Sequence, residues 1–210
     1  MKITFIYHSS FLVETEKLQM LFDYFQGDLS AVSPDKPLYV FASHRHEDHF
    51  SPVIFELAEK YPEVHYVLSY DIWKKRVPEK LRDRTVFLKP HVRERVGALE
   101  VETLKSTDEG VAFLIQDGAH TIYHAGDLND WTWDGEPETD NEAMSRNYRK
   151  EMDLLKGRHI DVAFVVLDGR QEQYYRRGID YFTEQVGADQ VCPMHYWGDP
   201  QVVERYRKGY

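Results

Sequence analysis

The opening segment "KITFIY" alternates between apolar and polar residues with the two-residue period of a half-buried β-strand. The first 22 residues predict two or three short strands. Continuous apolar runs of the buried-strand type follow in "PLYVFAS", "VHYVLS" and "HIDVAFVVLD". From Thr85 to Asp127 the pattern predicts strands throughout, and Asp117-Gly118 predicts a hairpin turn between the last two.

Helical spacing appears in fewer places. Ser51 and Pro52 are typical of an N-cap and a first helical turn, and apolar positions at helical spacing follow as far as Tyr61. A second helix is predicted to break near Pro78. The acidic segment "LNDWTWDGEPETDNEAMSRN" has no clear period and predicts an excursion that leads into a helix around Tyr148–Leu155. The segments "YFTEQVG" and "PQVVERYRKG" predict helices that flank a last short strand, "QVCPMH".

This order of elements gives two β-rich halves with helices outside them. It predicts an α/β (α+β) fold, a four-layer αββα sandwich of two mixed β-sheets flanked by helices. A length of 210 residues without repeats or linkers predicts one domain over residues 1–210.

Composition restricts the partners. A hydrophobic content of 42% indicates a folded globular chain, and a net charge of −10 argues against nucleic acid and anionic membranes as partners. The single Cys192 excludes an intramolecular disulfide and indicates a reducing compartment. With no leader and no apolar run near the roughly 20 residues of a membrane span, we expect a cytoplasmic protein.

The segment "SHRHEDHF" holds three of the chain's ten histidines and two acids directly after a buried strand. Alternate residues of an extended chain face the same way, so His44 and His46 can present their imidazoles to one metal ion. Asp48 and His49 can reach a second ion. Imidazole and carboxylate ligands suit zinc, manganese or iron, and further ligands would have to come from other strands.

The spacing His44-x-His46-x-Asp48-His49 resembles the signature of the metallo-β-lactamase superfamily, and the strand-rich order resembles that family over essentially the whole chain. The resemblance implies an aspartate that bridges two metal ions at a strand end, a position that "YHAGD" fills with Asp127. It also implies a late histidine ligand, which "CPMH" supplies as His195.

The middle ligand of that family is usually a histidine, and the corresponding segment "LKSTDEGVAF" has none. Asp108 is the best substitute, with Glu109 as a second choice, and an oxygen ligand would favour manganese or iron over zinc. Alternatively, the first metal position is incomplete and the protein holds one ion. Both readings stay open.

Other residues are candidates for supporting roles. His8 in "YHSS" resembles the N-terminal "His-small-small" of the ascorbate-phosphate-lactonase-like branch. The resemblance implies that His8 lies at the pocket edge, where it would hold the substrate or complete the metal shell. His124 would support a ligand or pack, and Asp168 in "VVLDGR" would orient a metal-bound histidine. Trp197 could line the pocket.

The resemblance implies a metal-dependent hydrolase with one or two divalent ions, zinc first and manganese or iron as alternatives. A metal-bound hydroxide would cleave a small ester, lactone or phosphoester, and Asp48 would orient the water and handle a proton. The alternatives are a di-iron redox or sensing protein on the same fold and a nuclease or phosphodiesterase. A small molecule is the expected partner, no nucleic acid or membrane is expected, and the sequence leaves the oligomeric state open.

Overall fold

A computed structural model describes residues 1–209, which divide into two compact units, Met1–Lys89 and a second unit from Pro90 onward. Each unit carries one six-stranded sheet. The strands of the first unit are β1 Lys2–Tyr7, β2 Ser10–Glu14, β3 Gln19–Phe22, β4 Leu38–Ala42, β5 Val64–Ser69 and β6 Thr85–Leu88.

The sheet of the first unit has the spatial order β1-β2-β3-β4-β5-β6. Strands β1 to β3 pair antiparallel, and β3 to β6 pair parallel, so the sheet is mixed. Strand β4, "LYVFA", is buried at every position, as expected of a central parallel strand. The connections between the parallel strands contain short 3₁₀ helices, Pro52–Glu59, Lys74–Arg76 and Glu79–Arg84.

The predicted capping of the first of these helices is confirmed, because the Ser51 side chain accepts a hydrogen bond from the Val53 N–H and Pro52 occupies the first turn. The second predicted helix is interrupted beside Pro78, as expected. All of these segments are 3₁₀ helices, where the sequence pattern predicted ordinary helices. Their apolar residues contact the core of this unit, which includes Ile54, Phe55 and Leu57.

The second unit contains the strands β7 Arg93–Val96, β8 Leu99–Lys105, β9 Val111–Gln116, β10 Thr121–His124, β11 Val162–Val166 and β12 Gln190–Met194. Their spatial order is β12-β11-β10-β9-β8-β7. Strands β7 to β10 pair antiparallel, and β10 to β12 pair parallel. The hairpin predicted at Asp117-Gly118 joins β9 to β10. Strand β7 lies within the stretch Thr85–Asp127 that was predicted to be all strand, but "RERV" was not singled out, because it is a charged edge strand with little apolar pattern.

The α-helices of the described chain lie in the second unit: α1 Glu138–Asp153, α2 Arg177–Gln185 and α3 Pro200–Arg207. A further 3₁₀ segment runs over Gly169–Tyr174. The prediction for α1 was wrong at its start, since the helix begins ten residues before Tyr148 and includes half of the supposed excursion. Its buried face includes Ser145 and Glu151, so an apolar period could not reveal it.

The predicted α/β class, with two mixed sheets and flanking helices, is confirmed. The prediction that residues 1–210 form one domain stays a prediction. Within residues 1–209, every helix is too short or too polar to cross a membrane.

Candidate metal site

In the first unit, the candidate ligands gather at the edge where the parallel strands end. Asp23 follows β3 directly, and the segment Ser43–His49 follows β4. Strand β1 runs in the same direction as β3, because each is antiparallel to β2, so His8 reaches the same edge. Ligand sites in open α/β sheets lie at this carboxyl edge.

The histidine loop brings two ring nitrogens together. His44 Nε2 lies 3.0 Å from His46 Nδ1, while His44 Nδ1 lies 3.0 Å from the Ser43 hydroxyl. The His46 carbonyl accepts hydrogen bonds from the N–H groups of His49 and Phe50, which closes a tight turn. His44 is fully buried. Two imidazole nitrogens that converge in this way are suited to share one metal ion.

A buried carboxylate holds His49. Asp23 Oδ2 lies 2.7 Å from His49 Nδ1, and the same carboxylate accepts hydrogen bonds from the Ser43 N–H and hydroxyl, each at 2.7 Å. Asp23 and His49 are both fully buried. A neutral imidazole that donates Nδ1–H to a carboxylate carries its lone pair on Nε2, which is how metal-binding histidines are oriented.

Asp48 lies beside two of these histidines. Its Oδ2 atom is 3.3 Å from His8 Nε2 and 3.6 Å from His49 Nε2, and one ligand atom from each of these three residues falls within 4.8 Å of the others. His8 and His49 are buried, whereas Asp48 is one-fifth exposed. The structure therefore brings His8, predicted for the pocket edge, into contact with the predicted catalytic carboxylate.

The second unit repeats this arrangement at its own sheet edge. Asp127 follows β10, Asp168 follows β11 and His195 follows β12, and these three strands are parallel. His195 Nδ1 lies 3.0 Å from Asp168 Oδ2, and His195 Nε2 lies 3.4 Å from Asp127 Oδ1. All three side chains are buried. Asp168 thus holds His195 as Asp23 holds His49.

Asp168 is anionic despite its burial. Desolvation raises the pKa of its carboxyl, but hydrogen bonds from His195 and from the side chain and N–H of Arg170 outweigh this effect and lower the pKa to about 2. A carboxylate in this state accepts the Nδ1–H of His195 and directs Nε2 toward Asp127.

Asp108 occupies a different environment. It is exposed in the turn between β8 and β9, where its N–H donates to the Ser106 hydroxyl, while Glu109 is partly buried. Among residues 1–209, no group of three or more ligand atoms within 4.8 Å of one another includes either acid. The neighbouring Thr107 hydroxyl donates to the Asn129 carbonyl, so this turn contacts the loop that follows Asp127. The assignment of Asp108 as a metal ligand stays a prediction.

The remaining candidates surround the ligands of the second unit. His124 is fully buried and accepts the Gly126 N–H on Nδ1 at 3.1 Å. Trp197 is half exposed, with its ring 5.8 Å from that of His195. Trp131 is buried, donates Nε1–H to the Asp127 carbonyl and lies edge-on to His195.

Backbone geometry marks the same residues. Among residues 1–209, six residues other than glycine have positive φ angles, and His8, Asp23 and His195 are three of them, at 54°, 41° and 66°. Such conformations cost of order 1–3 kcal/mol and cluster at functional sites.

The sequence analysis missed Asp23. Its signal was present, because Asp23 ends the apolar run "QMLFD" in the way that Asp127 ends "YHAGD" and Asp168 ends "VVLD". An aspartate that closes a buried strand can hold a histidine that closes the next strand, and comparison of these three strand ends could have identified it.

A family model described as the beta-lactamase superfamily domain matches residues 2–136, more than half of the chain. The chain belongs to the metallo-β-lactamase superfamily. A metal-dependent hydrolase of Pyrobaculum neutrophilum is 30% identical to it over 93% of this chain and 84% of that protein. A metal-dependent hydrolase of Methanosarcina barkeri is 30% identical over 60% of each chain, so that alignment spans less than two thirds of the relative.

Solved structures show the same fold. Igni18, a metallo hydrolase from Ignicoccus hospitalis, superimposes with a TM-score of 0.66 at 17% identity, over 98% of this chain and 90% of that one. At this level of identity, the match shows that the two chains share a fold over nearly the whole length of this chain.

Proposed function

We propose that this protein is a metal-dependent hydrolase. The observation that carries the proposal is the repeated pairing of a buried carboxylate with a histidine Nδ1, Asp23 with His49 and Asp168 with His195. This pairing fixes the tautomer in which Nε2 binds a metal. Two relatives with 30% identity are named metal-dependent hydrolases, which supports the same function.

The ligands proposed from the family resemblance are His44, His46, Asp48, His49, Asp127 and His195. The donor set consists of imidazole nitrogens and carboxylate oxygens, and Cys192 is not part of it. These donors fit one or two ions of zinc, manganese or iron. A bound ion of this kind supplies water of lowered pKa and polarises the bond to be cleaved.

Asp48 is the residue that we assign to proton handling. It is the most exposed of the ligand carboxylates, and its Oδ2 atom lies within 3.6 Å of two histidine Nε2 atoms. Contact with solvent allows this oxygen to receive a proton and release it. His8, buried and 3.3 Å away, orients that oxygen.

The proposed substrate is a small molecule with an ester, lactone or phosphoester bond. The net charge of −10 makes a polyanionic nucleic acid an unsuitable substrate, which disfavours the nuclease alternative. A di-iron redox protein would use the same nitrogen and oxygen donors, so the metal and its reaction decide between that alternative and a hydrolase.

The test combines metal counting with hydrolysis. We would purify the wild type, Asp108→Ala and His49→Ala, and measure metal ions per chain by elemental analysis before and after supplementation. Initial rates would follow with 4-nitrophenyl acetate, a simple δ-lactone and bis(4-nitrophenyl) phosphate. We expect the wild type to bind metal and to hydrolyse at least one substrate, and His49→Ala to lose both properties. His120→Ala is the matched control, since His120 pairs with Asp117 at a hairpin outside both ligand groups.

A wild type with two ions and an Asp108→Ala variant with one would make Asp108 the substitute ligand. One ion in both would mean that the first metal position is incomplete. A wild type that binds no metal after supplementation, or a metal-loaded protein that cleaves none of the three bonds, would overturn the proposal. An iron-loaded, coloured protein that reduces oxygen without hydrolysis would establish the redox alternative instead.

A further inference from the structure

A cavity of about 390 Å³ opens beside the histidine loop, within the first unit. Arg45 contributes to it from the position between His44 and His46, and the other lining residues follow β5 at the same carboxyl edge of the sheet. The lining residues are Arg45, Asp71, Trp73, Lys75 and Arg76. A molecule in this cavity would therefore lie next to the residues that we propose as metal ligands.

The cavity concentrates positive charge in an acidic protein. Three cations line it against one acid, in a chain whose net charge is −10. The acid, Asp71, uses Oδ2 to accept the backbone N–H of Arg45 at 3.1 Å, which ties the histidine loop to the segment after β5. Its carboxylate thus shapes the cavity without cancelling the excess of cations.

Aromatic rings, rather than carboxylates, support two of these cations. Lys75 Nζ lies 4.2 Å from the centre of the Trp73 ring, and the Arg76 guanidinium lies 5.1 Å from the centre of the Phe50 ring. Within residues 1–209, neither cation forms an ion pair. The contact with a ring holds each cation in place without a counter-ion. Its N–H groups can then still donate hydrogen bonds to a ligand.

Trp73 adds an apolar wall. It is 58% exposed, the most exposed of the large hydrophobic side chains described. The adjacent Lys74 differs from Lys75, because Lys74 packs over the Phe87 ring and does not line the cavity. The short helix Lys74–Arg76 therefore separates two neighbouring lysines into one that lines the cavity and one that does not.

We propose that this cavity binds a negatively charged carboxylate or phosphate group of the substrate, with Lys75 and Arg76 contacting the anion and Trp73 covering the adjoining apolar part. The inference rests on the proposed hydrolase function, since it assigns the substrate of that site a charge. Cations beside an exposed indole favour an organic anion over a neutral ester.

The first measurement is direct binding, which needs no turnover. The metal-loaded protein would be titrated with inorganic phosphate, phenyl phosphate and benzoate while tryptophan fluorescence is followed, with phenol as the neutral ring. We expect the anions, and not phenol, to change the fluorescence, and Trp73→Phe to remove the signal. Lys75→Gln and Arg76→Gln should each weaken anion binding about fivefold, and 0.5 M NaCl should weaken it further.

Lys74→Gln is the matched control, because it removes the same charge one residue away and outside the cavity. The subsite is refuted if Lys74→Gln and Lys75→Gln weaken binding equally, or if neither does. A second readout compares KM for anionic and neutral esters with the same leaving group, and Lys75→Gln should raise KM for the anionic ester alone.

The two proposals can fail separately. Anion binding that depends on Lys75, in a protein that hydrolyses none of the tested bonds, would uphold the subsite and overturn the hydrolase. Hydrolysis of neutral and anionic esters with KM values that Lys75→Gln leaves unchanged would uphold the hydrolase and overturn the subsite.

Discussion

Asp23 and Asp168 show at the residue scale how one carboxylate determines what a histidine can bind. Each is buried, ends an apolar strand and contacts the Nδ1 atom of a histidine. An ionised carboxylate only accepts hydrogen bonds, so Nδ1 must carry the proton and Nε2 the lone pair. In the proposed metal site, the affinity of His49 and His195 for the ion would therefore depend on residues that do not touch it.

Asp23→Asn tests this dependence. The amide nitrogen would face the Nδ1 atom of His49, and a donor there would shift the imidazole proton to Nε2, which removes its lone pair. We expect metal affinity to fall about 10- to 100-fold. The measurement is zinc titration against a competing chelator, with circular dichroism to confirm the fold. Asp35→Asn, an exposed aspartate of the same unit, is the control, and equal affinity in both variants would refute the assigned role of Asp23.

At the scale of elements, helix α2 determines the position of the loop that follows Asp127. A Cβ atom at Gly178 would lie 1.8 Å from Asn129 Oδ1 and 3.2 Å from the Asp130 N–H. Asn129 in turn donates to Gln171, so the loop cannot yield without losing a buried hydrogen bond. Gly178 is therefore required for close approach of helix and loop.

We expect Gly178→Ala to destabilise the protein by about 1–3 kcal/mol, the usual cost of overpacking. This cost of overpacking is expected to exceed the roughly 1 kcal/mol by which alanine stabilises a helix relative to glycine. Urea unfolding at equilibrium measures the change. Glu184→Ala, at an exposed position of α2, should change stability by less than about 0.5 kcal/mol. A Gly178→Ala variant as stable as the wild type would show that the loop moves freely.

Elements with strong local patterns could be predicted from the sequence, and others could not. Strands β4, β5 and β11 are continuous apolar runs, and the capping of Pro52–Glu59 follows from Ser51 and Pro52. The start of α1 could not be predicted, because Ser145 and Glu151 on its buried face make polar contacts of tertiary origin. Spacing alone predicted His44, His46, Asp48 and His49, whereas Asp23 depends on a pairing between separate strands that no local pattern contains.

At the scale of the whole molecule, the two sheets share one plan. Each has an antiparallel part and a parallel part, and in each the paired aspartate and histidine follow strands of the parallel part, Asp23 and His49 in the first unit and Asp168 and His195 in the second. In each, a strand-terminal aspartate holds a histidine. Buried imidazoles and carboxylates without a metal are costly to keep out of water, so metal binding and folding stability should be coupled.

Metal should therefore raise thermal stability in a concentration-dependent way. A ligand that binds only the folded state at about 100 times its Kd contributes about 2.7 kcal/mol. For a chain of this size, that corresponds to a rise in Tm of about 5–10 °C. Thermal scans of chelator-treated protein at increasing zinc concentrations measure the effect, and Ca²⁺, which prefers all-oxygen sites, should change Tm much less.

A second group near the surface, His159, Asp161 and Asp189, has the ligand types to bind metal and must be separated from the proposed site. His159→Ala removes its only imidazole and should leave the zinc-dependent rise in Tm intact, because the side chains of His159 and Asp189 are about two-thirds exposed and gain little from folding. His49→Ala should abolish the rise. If His159→Ala abolishes it and His49→Ala retains it, the stabilising metal lies on the surface, and the buried histidines are held by hydrogen bonds alone.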